Sequence, residues 1–301
     1  MSEKKTAVLS ILALGVGSAF CAFGTEDGKV QFIDPETGGL NADWQSNFLI
    51  STRDRDGSTD NVLVDAGGYL PLMLQDAGVK MADIKHVYVS HLHADHVCGL
   101  EALFITRYFA EKYSKIPRPN LFIHEALAAP LWTRSLRGGL ETLENVRADL
   151  TTYVNLRKVR RNGRFHLGDI CFRLIQTVHI VADASIQHSY GLMIYVGGRR
   201  VYLTTDTQFA PNQIMRFWQE ADVILQDCES GPKSGVHAHY DELKSLPPEI
   251  RAKMWLYHYS LGAREKYDPV ADGFRGFLRK HDRLEVLADG QIQLVRRGVA
   301  L

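Results

Sequence analysis

The sequence predicts an α/β protein with two mixed sheets flanked by helices. Three observations point there. Short runs of Val, Ile and Leu cluster early and late in the 301-residue chain, with segments of helical spacing between them. Several of these runs end in His or Asp, which gathers polar groups at strand ends. No apolar run reaches about 18 residues, so no membrane span is expected. Two sheets packed on each other and covered by helices satisfy such a pattern.

Taken in order, residues 7–13 are rich in Val, Ile and Leu and lead to Gly15 and Gly17, a buried strand and tight turn. Lys4 and Lys5 ahead of this run are reminiscent of a signal peptide, but the run dissolves into Gly15-Val16-Gly17-Ser18. Residues 24–43 read as a polar, Gly-rich loop or hairpin. Runs at 47–51 and 61–64, separated by the charged stretch 53–58, predict a hairpin. The second run closes on Asp65-Ala66-Gly67-Gly68, a carboxylate followed by a permissive turn. Helical spacing over 69–77 stops at Gly78. A strand at 87–89 and a helix at 100–113 follow, the helix ended by Pro117-Arg118-Pro119.

A strand at 121–123 opens a mostly helical insertion around 115–155, with a break expected at Gly138-Gly139. Strands are expected at 164–166, 170–177, 190–196 and 200–205, with turns at Asn162-Gly163 and Gly197-Gly198. Helices at 212–220, 245–253 and 268–280 alternate with strands at 223–226 and 254–257. Strands at 284–287 and 291–295 close the chain. Without repeat, low-complexity segment or linker, the expectation is a single domain over 1–301.

With 45% hydrophobic and 23% charged residues, the composition is that of a globular protein with a real core. Lys+Arg and Asp+Glu both total 35, which excludes a protein built mainly to coat nucleic acid. One basic cluster, Arg157, Lys158, Arg160, Arg161 and Arg164, falls on a predicted hairpin and reads as a solvated face before a phosphate-binding one. Cys21, Cys98, Cys171 and Cys228 form no CxxC pair and read as reduced thiols of a cytoplasmic protein.

The densest chemical signal is Ser90-His91-Leu92-His93-Ala94-Asp95-His96, directly after the strand Val87-Tyr88-Val89. Three imidazoles and a carboxylate delivered by one strand end suit zinc and related divalent ions. Two-metal hydrolysis needs ions about 3.5–4 Å apart, and this cluster alone cannot complete two such sites. Further ligand types stand at other strand ends: His179, Asp206 and His258.

Together, Asp65-Ala66-Gly67, the His91–His96 cluster, His179, Thr205-Asp206-Thr207 and His258 resemble the metallo-β-lactamase fold superfamily. The opening strand and loop at 14–20 is similar to that of its tRNase Z branch, which favours a mature strand over a signal peptide. The resemblance spans about residues 7–295 and implies an αββα sandwich. It implies that His91, His93 and His179 hold one metal, that Asp95, His96 and His258 hold the other, and that Asp206 bridges them. Asp65 would orient a ligand imidazole from behind. The cofactors implied are two divalent ions, zinc before manganese. Thr205 departs from the Gly usual in the superfamily before this Asp.

The tRNase Z branch also pairs a Glu with a His that protonates the leaving alkoxide. Glu229 and His237 match that pattern, with His239 as the rival, so Asp95, His237 and Glu229 are the candidate catalytic residues. A β-lactamase fits poorly with this ligand set, and a thioesterase would not need the Glu and His pair. The region around Leu131-Trp132, 138–143 and 150–153 is similar to the phage anti-Pycsar enzymes, which degrade cyclic mononucleotides. That resemblance implies a 3′,5′-cyclic nucleotide phosphodiesterase and a homodimer. The alternatives are a tRNase Z-like enzyme acting on tRNA 3′ ends, although no Gly/Pro- and Lys-rich arm is present, and a metal-bound binding module without catalysis.

Overall fold

The computed structural model describes residues 7–19, 25–26, 29–30, 42–183, 185–260 and 262–296. The chain begins with β1 (Ala7–Gly15), the short pair β2 (Thr25–Glu26) and β3 (Lys29–Val30), β4 (Asn47–Arg53), β5 (Thr59–Val64), β6 (His86–Val89) and β7 (Asn120–His124). It continues through the short pair β8 (Thr142–Leu143) and β9 (Val146–Arg147), then β10 (Asn155–Val159), β11 (Arg164–Leu167), β12 (Ile170–Ala182), β13 (Ser185–Val196) and β14 (Arg199–Leu203). Last come β15 (Val223–Asp227), β16 (Met254–Tyr257), β17 (Gly276–Phe277), β18 (Arg283–Leu287) and β19 (Ile292–Val295).

Two mixed sheets result. One has the order β10-β7-β6-β5-β4-β1-β18-β19, the other β11-β12-β13-β14-β15-β16-β17. In the first, β5, β6, β7 and β10 run parallel, so their carboxyl ends share one edge. Strand β1 shows how the layers arise. Leu9, Ile11 and Ala13 enter the core between the sheets, while Leu12 and Leu14 face the helices outside. Period-two alternation with both faces covered produces the near-continuous apolar run seen in the sequence.

The inter-sheet core packs Ile11, Ile50, Val62 and Tyr88 against Phe172, Leu174, Leu192 and Ile194. The outer face of the first sheet is covered by the helices Leu70–Asp76 and Leu100–Ser114, through Leu70, Met73, Leu103 and Phe104. The amphipathic helix Pro211–Glu220 buries Ile214, Phe217 and Trp218 against the second sheet. Phe172 is fully buried and stacks on Phe165 at 4.8 Å. Phe172→Ala is therefore expected to cost about 3–5 kcal/mol, read as a lower denaturation midpoint with unchanged slope.

Several sequence expectations are corrected. The helix expected at 268–280 is a series of turns leading into β17, because Gly273 (φ 85°) and Gly276 (φ 138°) take conformations a helix cannot use. The helix expected at 245–253 is confined to Pro248–Arg251, because Pro247 is extended before Pro248 starts it, and a separate short helix, Tyr240–Lys244, precedes the expected range. Gly138-Gly139 does not break the insertion. Glu125–Pro130, a π-turn at Leu131–Leu136 and Arg137–Leu140 run on into one another, and Gly139 lets the Glu101 carboxylate approach closely. The basic cluster is not on one hairpin: β10 edges the first sheet, β11 edges the second, and 160–163 crosses between them. Most of the predicted loop at 24–43, with Cys21, lies outside the described residues.

Candidate metal centre

The site forms where strand ends of the two sheets meet. Asp65 follows β5, Ser90 and His91 follow β6, and Asp95 and His96 sit in the helical turn Ala94–Val97. From the second sheet, His179 occupies the register shift between Val178 and Ile180 in β12. Asp206 lies three residues beyond β14, Asp227 ends β15, and His258 follows β16. The backbone turns sharply at three of these places: Asp65, Thr205 and His258 have φ of 62°, 52° and 66°. Left-handed non-glycine residues of this kind cost of order 1–3 kcal/mol each and concentrate at functional sites. The left-handed turn explains why Gly suits the residue before Asp206. Here Thr205 adopts it, with its hydroxyl donating to the Thr204 carbonyl at 2.7 Å and paired with Ser189 at 2.9 Å.

Among the described residues three groups of potential ligands include Asp206: one with Asp227, His237 and His258, and the two that the resemblance implies. In the first, His93 Nδ1 lies 3.1 Å from His91 Nε2 and 3.0 Å from His179 Nε2, each of which is 3.7 Å from Asp206 Oδ2. In the second, His96 Nε2 lies 3.2 Å from both Asp95 Oδ2 and Asp206 Oδ2, and His258 Nε2 lies 3.5 Å from Asp206 Oδ2. Asp206 thus belongs to both.

The far side of each ring shows which nitrogen is free. His179 Nδ1–H donates to the Val236 carbonyl at 2.9 Å, and His96 Nδ1–H donates to Asp65 Oδ2 at 2.8 Å. His91 Nδ1–H donates to Ser90 Oγ at 3.0 Å, whose own hydroxyl donates to Asp65 Oδ2 at 2.6 Å. A carbonyl or carboxylate can only accept, so in the neutral rings of His91, His96 and His179 it is Nε2 that carries the lone pair. His93 can offer a proton to just one of its two neighbours. Buried His96 Nε2, His258 Nε2 and Asp206 Oδ1 make no hydrogen bond at all. Converging lone pairs, unpartnered buried atoms and shared carboxylates fit a pair of divalent cations, because only positive charge makes the arrangement favourable.

The titration shifts follow from the same geometry. Burial holds His91 well below the usual imidazole value and pulls His179 down to about 4, so both are neutral donors near pH 7. Burial also opposes charge on His96, but Asp206, Asp95 and Asp65 together push it well above the usual value. Burial likewise disfavours ionised Asp206, which His258 and His96 nonetheless keep well below the carboxylate range.

Asp65 fixes one imidazole in each group, His96 directly and His91 through Ser90. Asp65→Asn is expected to weaken both metal sites about 10- to 100-fold and Ser90→Ala only the first, measured by chelator competition at equilibrium.

The neighbouring histidines sort differently from the sequence expectation. His237 stacks 4.5 Å from His258, 4.9 Å from His179, and its Nδ1 is 4.0 Å from Asp206 Oδ2. The carboxylate that holds it is Asp227, at 2.9 Å, and not Glu229. Glu229 instead accepts from the backbone N–H and hydroxyl of Ser234, pinning the loop between them. Burial disfavours the charged form of His237, yet Asp227 raises it to about 9, so it keeps a proton at neutral pH. His239 is occupied otherwise: its Nδ1 caps the helix Tyr240–Lys244 and its Nε2 donates to the Gly231 carbonyl.

The match to known proteins follows the same architecture. The family model for the Anti-Pycsar protein Apyc1 matches residues 29–284. The chain belongs to the Apyc1 family. An Anti-Pycsar protein Apyc1 of Paenibacillus sp. (strain J14) is 33% identical over 224 residues, covering 73% of this chain and 86% of the relative. Among solved structures, a diphosphatase from the PhnP family superposes with a TM-score of 0.66 at 16% identity, covering 92% of this chain and 96% of that one. The metallo-β-lactamase fold protein YhfI from Bacillus subtilis gives 0.63 at 16% identity, covering 93% and 100%. The predicted αββα metallo-β-lactamase fold is thus the fold of this Apyc1 family member.

Family and donor set agree on a metal-dependent hydrolase. Among the described residues no helix is long and apolar enough to cross a membrane. Binding of cations to the folded state alone adds stability, about 2.7 kcal/mol per site at 100 times Kd. Chelation is therefore expected to lower the Tm of the loaded protein by roughly 10 °C, with recovery on adding metal back.

Two participants escaped the sequence reading. Ser90 stood inside the motif but offered no sign of its link from His91 to Asp65. Asp227 carries the same strand-end signal as Asp206, and it, not Glu229 two residues later, bonds His237.

Proposed function

We propose that this chain hydrolyses 3′,5′-cyclic nucleotides, such as cCMP, cUMP, cAMP and cGMP, to linear nucleoside monophosphates, countering Pycsar antiphage defence in the bacterial cytoplasm. The observation that carries this reading is the Asp227–His237 pair set 4.0 Å from the shared carboxylate of the two ligand groups. A ribose oxygen leaves as a poor, strongly basic alkoxide and needs a proton donor beside the metal pair. An ester whose leaving group is already a stable anion would not.

His91, His93 and His179 would hold one cation, Asp95, His96 and His258 the other, with Asp206 common to both. Two zinc ions, or manganese in their place, would neutralise phosphoryl oxygens and activate water. Asp95, buried with its carboxylate turned to His96 and His258, keeps the second group negative and orients the incoming water. His237 delivers its proton to the departing ribose oxygen, and Asp227 fixes the ring and stabilises its charged form. Glu229 acts on the loop and not on the proton. We place the enzyme in a homodimer, as the resemblance implies.

The test is incubation of metal-loaded protein with the four cyclic nucleotides and, separately, with precursor tRNA. Linear monophosphates are expected. Cleavage of precursor tRNA alone would reject the proposal in favour of a tRNase Z-like activity.

A further inference from the structure

One loop ties the first ligand group to the proton donor. Residues 230–238 lie between β15 and the helix Tyr240–Lys244, and their ends are clamped together. Glu229 N–H donates to the Ala238 carbonyl at 2.9 Å, and Tyr240 N–H donates to the Glu229 carbonyl at 2.9 Å. Within the loop, the Glu229 carboxylate accepts from the Ser234 N–H at 2.8 Å and from the Ser234 hydroxyl. Val236 N–H donates to Ser234 Oγ at 3.3 Å, and His239 Nε2–H donates to the Gly231 carbonyl at 3.0 Å. Gly235 turns the chain at φ 78°.

The tip of the loop, 232–235, is exposed, and Lys233 pairs with Glu242 of the helix that follows. Among the described residues, one hydrogen bond joins 231–236 to anything beyond the loop, its neck and that helix. It runs from His179 Nδ1–H to the Val236 carbonyl, at 2.9 Å.

That bond falls at a decisive place. The Val236 carbonyl and the His237 N–H belong to one planar peptide group. Holding the carbonyl therefore sets the backbone from which the His237 ring reaches Asp227. His179 is engaged on both sides: Nε2 lies 3.0 Å from His93 Nδ1, and Nδ1 faces the carbonyl. A neutral imidazole carries one ring hydrogen. On Nε2, that hydrogen would serve His93 and turn a lone pair toward the Val236 carbonyl, acceptor against acceptor. On Nδ1, it serves the loop and leaves Nε2 for a cation. Ligation at Nε2 permits only the second form.

We propose that Ser234 and Val236 are positioning residues of a loop latched by the first metal site. A divalent cation on His179 Nε2 fixes the Nδ1–H form, the Val236 carbonyl docks on it, and His237 is set beside the shared carboxylate. This rests on the two-cation reading above. The coupling is reciprocal, so loosening the loop weakens cation binding at the first site.

The experiment follows amide hydrogen exchange of the segment 230–238 by mass spectrometry in chelated and zinc-loaded protein, with bound zinc counted on the same samples. Loading is expected to slow exchange in the wild-type loop about 5- to 150-fold. His93→Ala, which removes a first-site ligand, should lose this gain, and Asp95→Ala, which removes a second-site ligand, should keep it. Ser234→Ala, at an exposed position, should weaken the first site about 3- to 10-fold in chelator competition and leave the second unchanged. If either ligand variant does not fold, the wild-type comparison and Ser234→Ala decide. Two zinc ions bound with no change in loop exchange overturn the latch, as does a gain lost in Asp95→Ala but kept in His93→Ala. Equal first-site affinity in Ser234→Ala also counts against it. A folded wild type that binds no zinc instead overturns the reading on which the latch rests.

Discussion

Asp206→Ala is expected to abolish hydrolysis of every phosphodiester, by about 1,000-fold or more, and to leave the protein without its second equivalent of tightly bound metal. The carboxylate is 1% exposed, and its Oδ2 lies within 3.7 Å of the Nε2 atoms of His91, His96, His179 and His258. Among the described residues no other carboxylate faces the Nε2 atoms of both ligand groups: Asp95 contacts only the second, Asp227 meets His258 at Nδ1, and Asp65 lies behind His91 and His96. Removing Asp206 takes negative charge from both cations at once. A loss of several kcal/mol at the transition state is the consequence, each 1.4 kcal/mol or so being tenfold in rate. Turnover, metal stoichiometry and the thermal transition are measured on the same preparation. Full turnover with two metals bound would refute a shared ligand. A folded protein that keeps one metal and no activity would support it.

His237→Ala is expected to slow cleavage of a cyclic nucleotide about 100- to 10,000-fold while costing less than about tenfold on bis(p-nitrophenyl) phosphate. The difference comes from the leaving group. Nitrophenolate departs as a stabilised anion, whereas the ribose alkoxide must be protonated as the bond breaks. Asp227→Asn should follow the same pattern with a smaller effect, because the ring keeps its place but loses the charge that raises it to about 9. Glu229→Gln should show no such dependence, since Glu229 bonds Ser234. Equal losses on both esters for His237→Ala would assign that residue to the metal centre and remove it from proton transfer.

Much of the architecture is legible without coordinates. The strands at both ends of the chain, the helix after the histidine cluster and the turn after Asp65 stand where periodicity and glycine placement put them. The failures share a cause. The segment 268–280 has apolar spacing that suits a helix, but Gly273 and Gly276 are used at positive φ to return the chain to β16. Gly138-Gly139 looks like a break, yet Gly139 answers to a neighbour 38 positions earlier in the chain, Glu101. In both places a glycine's meaning depends on what packs beside it.

The sequence by itself determined the fold and the chemical character of the site. The cluster His91–His96 is held by one strand end and one helical turn, so its ligands are set by local geometry within six positions. Only the tertiary structure decided how those ligands are oriented and which residue serves the proton donor. Asp65 reaches His91 and His96 because β5 and β6 are neighbours in the sheet. Asp227 reaches His237 because β15 and β16 run side by side and the loop pinned by Glu229 folds His237 back over His258. Nearness in the chain favoured Glu229; strand pairing, which spacing does not encode, gave the role to Asp227.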